Sequence, residues 1–375
     1  MVSSELTVKA FLRDHIKMLN REYSISVAFN SNNSKASDLA DIPATIFHVK
    51  IRRGISPLQD LAVFFQLFTL FRKNGFDIIH SITPKAGLLA MLAGMFAGVP
   101  IRIHTFTGQI WVTRRGLLRH LLKTADRLIN FAATNILVDS ASQREFLIRE
   151  GVITSETSCV LAKGSICGIN PRRFQLDNDA RRNIRDQHGI PFEDLVFLYL
   201  GRLNRDKGLL DLAQAFPRVA ASASGHAHLL IVGPDEEEMR PQIETLCKPC
   251  AQKLHFIGYT EKSEAYMAAA DVFCLPSYRE GFGSVILEAA AVGIPSIGSR
   301  IYGITDAIEE GVTGLLHEPR NIRELTEKML QLAENPEQRY TMGREARSRA
   351  LRDFNADAVT TAMADYYRAL AGKLA

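Results

Sequence analysis

The sequence predicts an α/β protein made of two doubly wound, Rossmann-like domains, each a parallel sheet with helices on both faces. Three observations predict it. Short apolar runs alternate with helical patterns along all 375 residues. That length is too much for one ordinary core and comfortable for two. A single polar stretch then divides the pattern in half.

In the first half, residues 24–29, 76–82, 101–106 and 135–138 read as strands. Between them, residues 58–73, 86–98 and 117–131 carry apolar positions at helical spacing. In the second half, 195–200, 228–232, 254–257, 272–275 and 295–298 read as strands, each followed by a turn and a helix. Such alternation implies parallel sheets, whose ligands bind outside the carboxyl ends of the strands. The break falls at residues 167–179, where Gly168, Pro171, Arg172 and Arg173 precede Asp177-Asn178-Asp179. The domains expected are therefore 1–170 and 171–355, with a last helix over 356–375. That helix has Tyr366, Tyr367 and Leu370 on its apolar side. At the start, only Met1-Val2-Ser3-Ser4 precedes a helical pattern over 7–20. A doubly wound domain opens with a strand in the middle of its sheet, so Val2 reads as the last residue of a truncated first strand.

Composition narrows the class. The chain is 46% hydrophobic and 23% charged, with no low-complexity tract. Five irregularly spaced cysteines form no secreted disulfide framework, which points to a reducing cytoplasm. Glu5, Lys9, Arg13 and Asp14 interrupt any signal-peptide core. The longest apolar run, 86–100, falls short of the ~20 residues a membrane span needs. The net charge of +4 hides an asymmetry: residues 1–175 carry 22 Lys and Arg against 12 Asp and Glu, and the remainder 23 against 29. A basic half suits an anionic partner such as phosphate groups or a lipid surface; compositional drift explains it equally well. Nothing in the sequence marks a nucleic-acid partner.

Two loops carry chemistry. Gly201-Arg202-Leu203-Asn204-Arg205-Asp206-Lys207-Gly208 follows a strand and enters a helix near Lys207. Lysine at a helix N-terminus is electrostatically unfavourable, and Arg202 adds to the frustration unless an anion such as a diphosphate lies between them. The alternative is a solvated loop with Arg202 and Asp206 paired. The second loop, Pro276-Ser277-Tyr278-Arg279-Glu280-Gly281-Phe282-Gly283-Ser284, runs into an apolar helix. Gly281 and Gly283 let backbone N–H groups approach a ligand. Glu288, two turns into that helix, must find a partner or be neutralised, and ribose hydroxyls would serve. Glu280 can reach sugar hydroxyls. Both carboxylates could instead sit in internal salt bridges. The glycines match a dinucleotide fingerprint weakly, because no third glycine follows.

These residues resemble the retaining glycosyltransferases of family 4, which have the GT-B fold, particularly those that assemble capsular, exopolysaccharide or O-antigen repeats. The resemblance lies in Gly201-Arg202-Leu203 with Lys207-Gly208, in Glu280-Gly281-Phe282-Gly283 with Glu288, and in Gly311-Val312-Thr313-Gly314-Leu315-Leu316. His80-Ser81-Ile82-Thr83-Pro84-Lys85-Ala86-Gly87 and His104-Thr105-Phe106-Thr107-Gly108 look like the polysaccharide subgroup. The resemblance implies that Arg202 and Lys207 neutralise the diphosphate of a nucleotide-sugar donor, with uracil as its base. It further implies that Glu288 holds the ribose, Glu280 contacts the donor sugar, and amides of Gly281, Phe282, Gly283 and Ser284 reach the phosphates. His104 would face the sugar across a cleft between the domains, and the last helix would return to the first domain. No metal or other cofactor is implied, since cationic side chains and helix termini take that role. The one Asp-x-Asp pattern, Asp177-Asn178-Asp179, reads as a solvated turn. Cys247-Lys248-Pro249-Cys250 lacks a second Cys/His pair for zinc.

Arg115, Arg119, Lys123 and Arg127 recur every four residues and form one stripe on a helix that includes Leu117, Leu118, Leu121 and Leu122. Trp111 and Arg114 precede it. This pattern suits peripheral docking on an anionic inner membrane leaflet, or a lipid-linked saccharide acceptor, with Lys85 as a further acceptor contact. It equally describes an amphipathic helix with its leucines in the core. Two rivals to a transferase are a UDP-sugar epimerase on the same scaffold and an inactive partner subunit.

Overall fold

The apolar runs become strands buried on both faces, which is why they read as continuous rather than alternating. A computed structural model describes residues 1–30, 42–51, 54, 56–222 and 226–374. They form two compact units: Met1–Gly168 with Ala356–Ala375, and Ile169–Asn355. The chain has a two-domain α/β architecture, and its last helix belongs to the first unit.

In the first unit, β1 (Ser26–Phe29) pairs with β2 (Thr45–His48), while β3 (Ile78–Ser81), β4 (Ile101–Phe106), β5 (Asn135–Val138) and β6 (Ser158–Cys159) form a second parallel sheet in that order. Met1 and Val2 join the two sheets. Val2 N–H donates to Ala28 O at 3.0 Å, and Met1 O accepts from Ile82 N–H at 3.2 Å. The Met1 ammonium donates to His80 O, and its burial lowers the amine pKa to about 5. Two residues thus satisfy backbone groups of β1 and β3 that would otherwise face each other unpaired. β2 and β6 have no counterpart in the sequence expectation, because Thr45–His48 and Ser158–Cys159 are too short and mixed to stand out.

The helix Ala356–Ala371 packs on the helix Arg13–Leu19. It buries Met363, Tyr367 and Leu370, and Arg368 closes a bidentate pair with Glu22 at 2.5 and 2.7 Å.

The second unit contains β7 (Leu195–Leu200), β8 (Ala227–Val232), β9 (Leu254–Ile257), β10 (Val272–Leu275), β11 (Ser296–Ser299) and β12 (Gly314–His317). All pairs are parallel, and the order across the sheet is β12-β11-β10-β7-β8-β9. The chain moves outward from β7 to β9, then returns to β10 on the other side of β7. The direction of winding therefore reverses between β7 and β10. At such a reversal the crevice at the carboxyl ends of the two strands is the position where doubly wound sheets bind ligands.

Candidate active site

Both loops singled out in the sequence leave the strands at this switch point, residues 201–208 after β7 and residues 276–283 after β10. Their close approach requires a glycine. Gly208 has φ +67°, and a Cβ there would lie 1.9 Å from the carbonyl oxygen of Pro276. Tyr278 N–H then donates to Asp206 O at 2.8 Å, locking one loop to the other. Gly283, at φ +79°, caps the start of the helix Ser284–Val292, so the N-terminus of that helix lies at the same switch point.

The charged groups interlock. Lys207 Nζ lies 2.5 Å from Glu280 Oε1, which also accepts from Ser277 Oγ at 2.8 Å. Arg202 Nη1 meets Glu236 Oε2 at 2.9 Å, and Arg279 holds Asp206 at 3.0 and 3.2 Å. The alternative pairing of Arg202 with Asp206 is not formed. Lys207 also does not start a helix: it ends a 3-10 turn, Arg205–Lys207, and the helix Leu209–Ser222 follows Gly208. Its charge is met by Glu280 rather than left against a helix dipole.

Glu288 sits one turn into its helix, not two, since the helix begins at Ser284. Among the described residues its carboxylate has no hydrogen-bond partner. Burial raises its pKa to about 7; Arg173 pulls it down and Glu264 pushes it up. In the loop after β7, Asn204 Oδ1 is likewise buried without a partner. Unmet polar groups of this kind are costly in a finished core and ordinary in a binding site. Phe282 belongs to the core, its ring 5.3 Å from that of Phe354, so this residue offers the crevice its backbone only. The sequence reading missed Tyr278, whose hydroxyl donates to Asp211 at 2.8 Å under the Arg320 guanidinium, 4.3 Å from the ring centre. Tyr278 stood inside a noted motif, but Arg320 gave no local signal.

In the first unit His104 is the fourth residue of β4 and only 1% exposed. Its Nδ1 shares a hydrogen bond with Ser81 Oγ at 2.8 Å, and its ring lies on Gly87, where a Cβ would come within 2.4 Å. Burial, helped by the nearby chain amine, lowers its pKa to about 3. His104 is thus a packed histidine that burial keeps neutral, anchored through Nδ1 to Ser81. His80 is built in the same way, between Tyr367 Oη at 2.9 Å and Thr105 Oγ1 at 2.7 Å.

Comparison with known proteins agrees with this architecture. Residues 180–349 match the family described as glycosyl transferases group 1, and residues 10–160 match the glycosyl transferase 4-like domain. The capsular polysaccharide biosynthesis glycosyltransferase CapM of Staphylococcus aureus is 29% identical over 358 residues, covering 95% of this chain and 93% of its own. The Escherichia coli UDP-Gal:alpha-D-GlcNAc-diphosphoundecaprenol alpha-1,3-galactosyltransferase is 24% identical over 345 residues, covering 90% and 86%. The chain belongs to the family 4 glycosyltransferases. A solved structure of Anabaena HepE in complex with UDP and glucose shares the fold, with a TM-score of 0.79 at 20% identity over 96% of this chain and 95% of that one.

In this glycosyltransferase part of the basic stripe makes internal contacts. Lys123 and Arg119 hold Glu150 at 2.7 and 3.4 Å and lie over the Trp111 ring. Arg127 Nε donates to Gly151 O at 3.0 Å. Trp111 is 1% exposed, stacked on Phe146 at 5.5 Å, and donates Nε1–H to Asp126 at 2.8 Å. Trp111 is therefore structural, contrary to its expected surface role, and Lys123 packs beside it, whereas the Arg119 side chain stays 42% exposed. Lys85 is engaged too, by Asp60 at 2.7 Å and Gly54 O at 2.5 Å. The leucines behave oppositely to core residues: Leu117 is 83% exposed, with Leu118, Leu121, Leu128 and Phe131 also exposed along the helix Gly116–Ala132. Arg114 and Arg115 are exposed at its start. Among the described residues no helix is long and apolar enough to cross a membrane. Asp177, read as a solvated turn, caps the helix Asn178–Gln187 by accepting from Ala180 N–H at 2.8 Å. Cys247 and Cys250 are buried, and burial raises the Cys247 thiol to about 12, far from a reactive thiolate.

Proposed function

We propose that this glycosyltransferase is a retaining, metal-independent enzyme that transfers a sugar from a UDP-sugar to a lipid-linked saccharide in cell-surface polysaccharide assembly. One observation carries the reading: Arg202, Lys207, Glu280, the first turn of the helix Ser284–Val292 and the unpartnered Glu288 converge on the switch point of one sheet.

Cleavage of the donor leaves negative charge on the diphosphate. Fixed cations and helix amides stabilise it without a reorganisation cost at the moment of reaction. Arg202 and Lys207 supply the cations, which is the work a divalent metal would otherwise do. Glu288 accepts hydrogen bonds from the ribose hydroxyls, and Glu280, released from Lys207, accepts from the donor sugar. His104, neutral at working pH, orients Ser81 and the end of β4. The CapM and galactosyltransferase relatives support the pathway, the lipid-linked acceptor and the uridine nucleotide, and HepE binds UDP in the same fold. The exposed stripe of Leu117, Leu121, Leu128 and Phe131, with Arg114 and Arg115 at its head, meets an anionic membrane surface.

The test is product analysis. Purified protein with UDP-sugars and a diphospholipid-linked saccharide, with EDTA present, should give a lengthened saccharide whose new linkage keeps the donor's anomeric configuration by NMR. An isomerised nucleotide sugar formed without acceptor would sink the transferase reading; an inverted linkage would remove retention; loss of activity in EDTA would remove metal independence.

A further inference from the structure

The cations that a diphosphate needs are already occupied. Lys207 is held by Glu280 and Arg202 by Glu236. The two carboxylates differ in origin. Glu280 belongs to the loop after β10 and has a sugar contact to make. Glu236 comes from the acidic run Asp235-Glu236-Glu237-Glu238, after β8, which the sequence reading passed over.

That run is fastened to the Arg202 loop by backbone bonds. Leu203 N–H donates to Pro234 O at 2.9 Å, Glu236 N–H to Leu203 O at 3.1 Å, and Arg205 N–H to the Glu237 carboxylate at 3.1 Å. Asp235 shapes the turn by accepting from Met239 N–H at 2.9 Å and Arg240 N–H at 3.0 Å. Glu236 is therefore delivered to Arg202 by its backbone. The pair itself adds little stability, because Arg202 Nη1 and its partner lie on side chains 47% and 30% exposed, where solvent screens the attraction.

We propose that Glu236 is a counter-ion that competes with the donor diphosphate for Arg202 and speeds release of the nucleoside diphosphate product. This rests on the donor-site reading above. A bound diphosphate takes the guanidinium by bidentate contact and leaves the Glu236 charge facing its own. The product bears one more ionisable phosphate oxygen than the donor, and that oxygen is ionised at neutral pH (phosphate second pKa ≈ 6). Repulsion from Glu236 therefore weighs more on the product than on the donor. Glu236 is a positioning residue that acts through Arg202.

The experiment measures binding of UDP, GDP and ADP by calorimetry to wild type, Glu236→Gln, Arg202→Gln, the double variant, and Glu237→Gln as a same-loop charge control. Glu236→Gln should tighten the best nucleoside diphosphate about fivefold, tighten the matching nucleotide sugar about twofold, and deepen product inhibition in turnover. In the Arg202→Gln background the gain should fall to nearly nothing. Unchanged or weaker binding by Glu236→Gln, an equal gain from Glu237→Gln, or a gain that survives loss of Arg202 would each overturn the proposal. Lys207→Met separates the two readings. If that variant binds as wild type does, the donor site is misplaced and both readings fall. If it loses binding while Glu236→Gln gains none, only the counter-ion is wrong. No nucleotide binding by wild type removes both.

Discussion

The two edges of the second unit's sheet are equally rich in ionisable groups and are built on opposite plans. At the amino edge, Arg185 is buried and donates to the carbonyls of Ala269, Pro191, Phe192 and Asp194 at 2.6–3.2 Å and to Asp271 at 2.8 Å. Asp194 joins His226, His228 and Lys253, and His228 Nδ1 meets His255 Nε2 at 2.9 Å. Backbone carbonyls and short side chains are the partners there, so the network is a finished piece of structure. At the carboxyl edge Arg202 and Lys207 pair with other long, partly exposed side chains, the loops turn on glycines, and among the described residues Glu288 has no hydrogen-bond partner. Charge alone does not mark a site. What marks it is charge whose partners can leave.

The sharpest break between the two edges comes from removing one cation on each. Arg185→Met should cost about 3–5 kcal/mol in urea unfolding, because the carbonyls of Ala269, Pro191, Phe192 and Asp194 lose their buried donor while Asp271 keeps Arg181. Lys207→Met should cost less, about 1 kcal/mol, because Glu280 keeps its bond from Ser277, and should lower kcat/KM by about 10²–10³, the size of one lost transition-state contact. The reverse ranking would mean the edges have been assigned the wrong way round.

The pH dependence of stability should also run in opposite directions. Glu288 has a folded pKa of about 7, above an unfolded value near 4.5, so the folded state holds its proton more tightly. Its contribution is present below pH 4.5 and is lost as pH rises through 7. Glu288→Gln should therefore be more stable than wild type at pH 8, by about 2 kcal/mol, equal to it at pH 4, and deficient in nucleotide binding. His255 is the mirror case: burial, with His228 beside it, lowers its pKa to about 4. The unfolded chain takes up that proton first, so this stability is lost as pH falls from 6.5 through 4. Denaturation of Glu288→Gln at pH 7 and pH 5 isolates that acid limb; no drop at pH 5 would break the account of the amino edge.

The smallest effect belongs to the helix Gly116–Ala132. Leu121→Glu should weaken sedimentation with anionic phosphatidylglycerol vesicles severalfold at unchanged stability and nucleotide affinity. Lys123→Gln should instead lower stability by about 1 kcal/mol through Glu150 and leave vesicle binding alone. Equal vesicle binding by Leu121→Glu would remove the leucine stripe from the membrane.

Much of this was legible in the sequence. The strands β7 to β11 of the second unit, the two glycine-bearing loops and Glu288 stood out, because a buried parallel strand followed by a glycine turn leaves a local signature; β12 was not read as a strand. Partners distant in the chain did not. Glu236 lies 34 residues from Arg202, and Glu150 lies 27 from Lys123; neither spacing carries a local rule. The helix Gly116–Ala132 shows the cost. Its period was right, but which of its basic residues turn inward depended on Trp111 and Glu150, which carry no local signal. His104 shows a related limit: a histidine in a strand reads alike whether a ligand or the glycine of a packed helix lies against it.

The most direct test of the central claim is calorimetry of UDP, GDP and ADP with wild type, Glu288→Gln and His255→Gln. The carboxyl-edge account predicts that one nucleotide binds wild type and His255→Gln alike and that Glu288→Gln loses most of that affinity. Undiminished binding by Glu288→Gln, or loss of binding in His255→Gln while the protein stays folded, would contradict it.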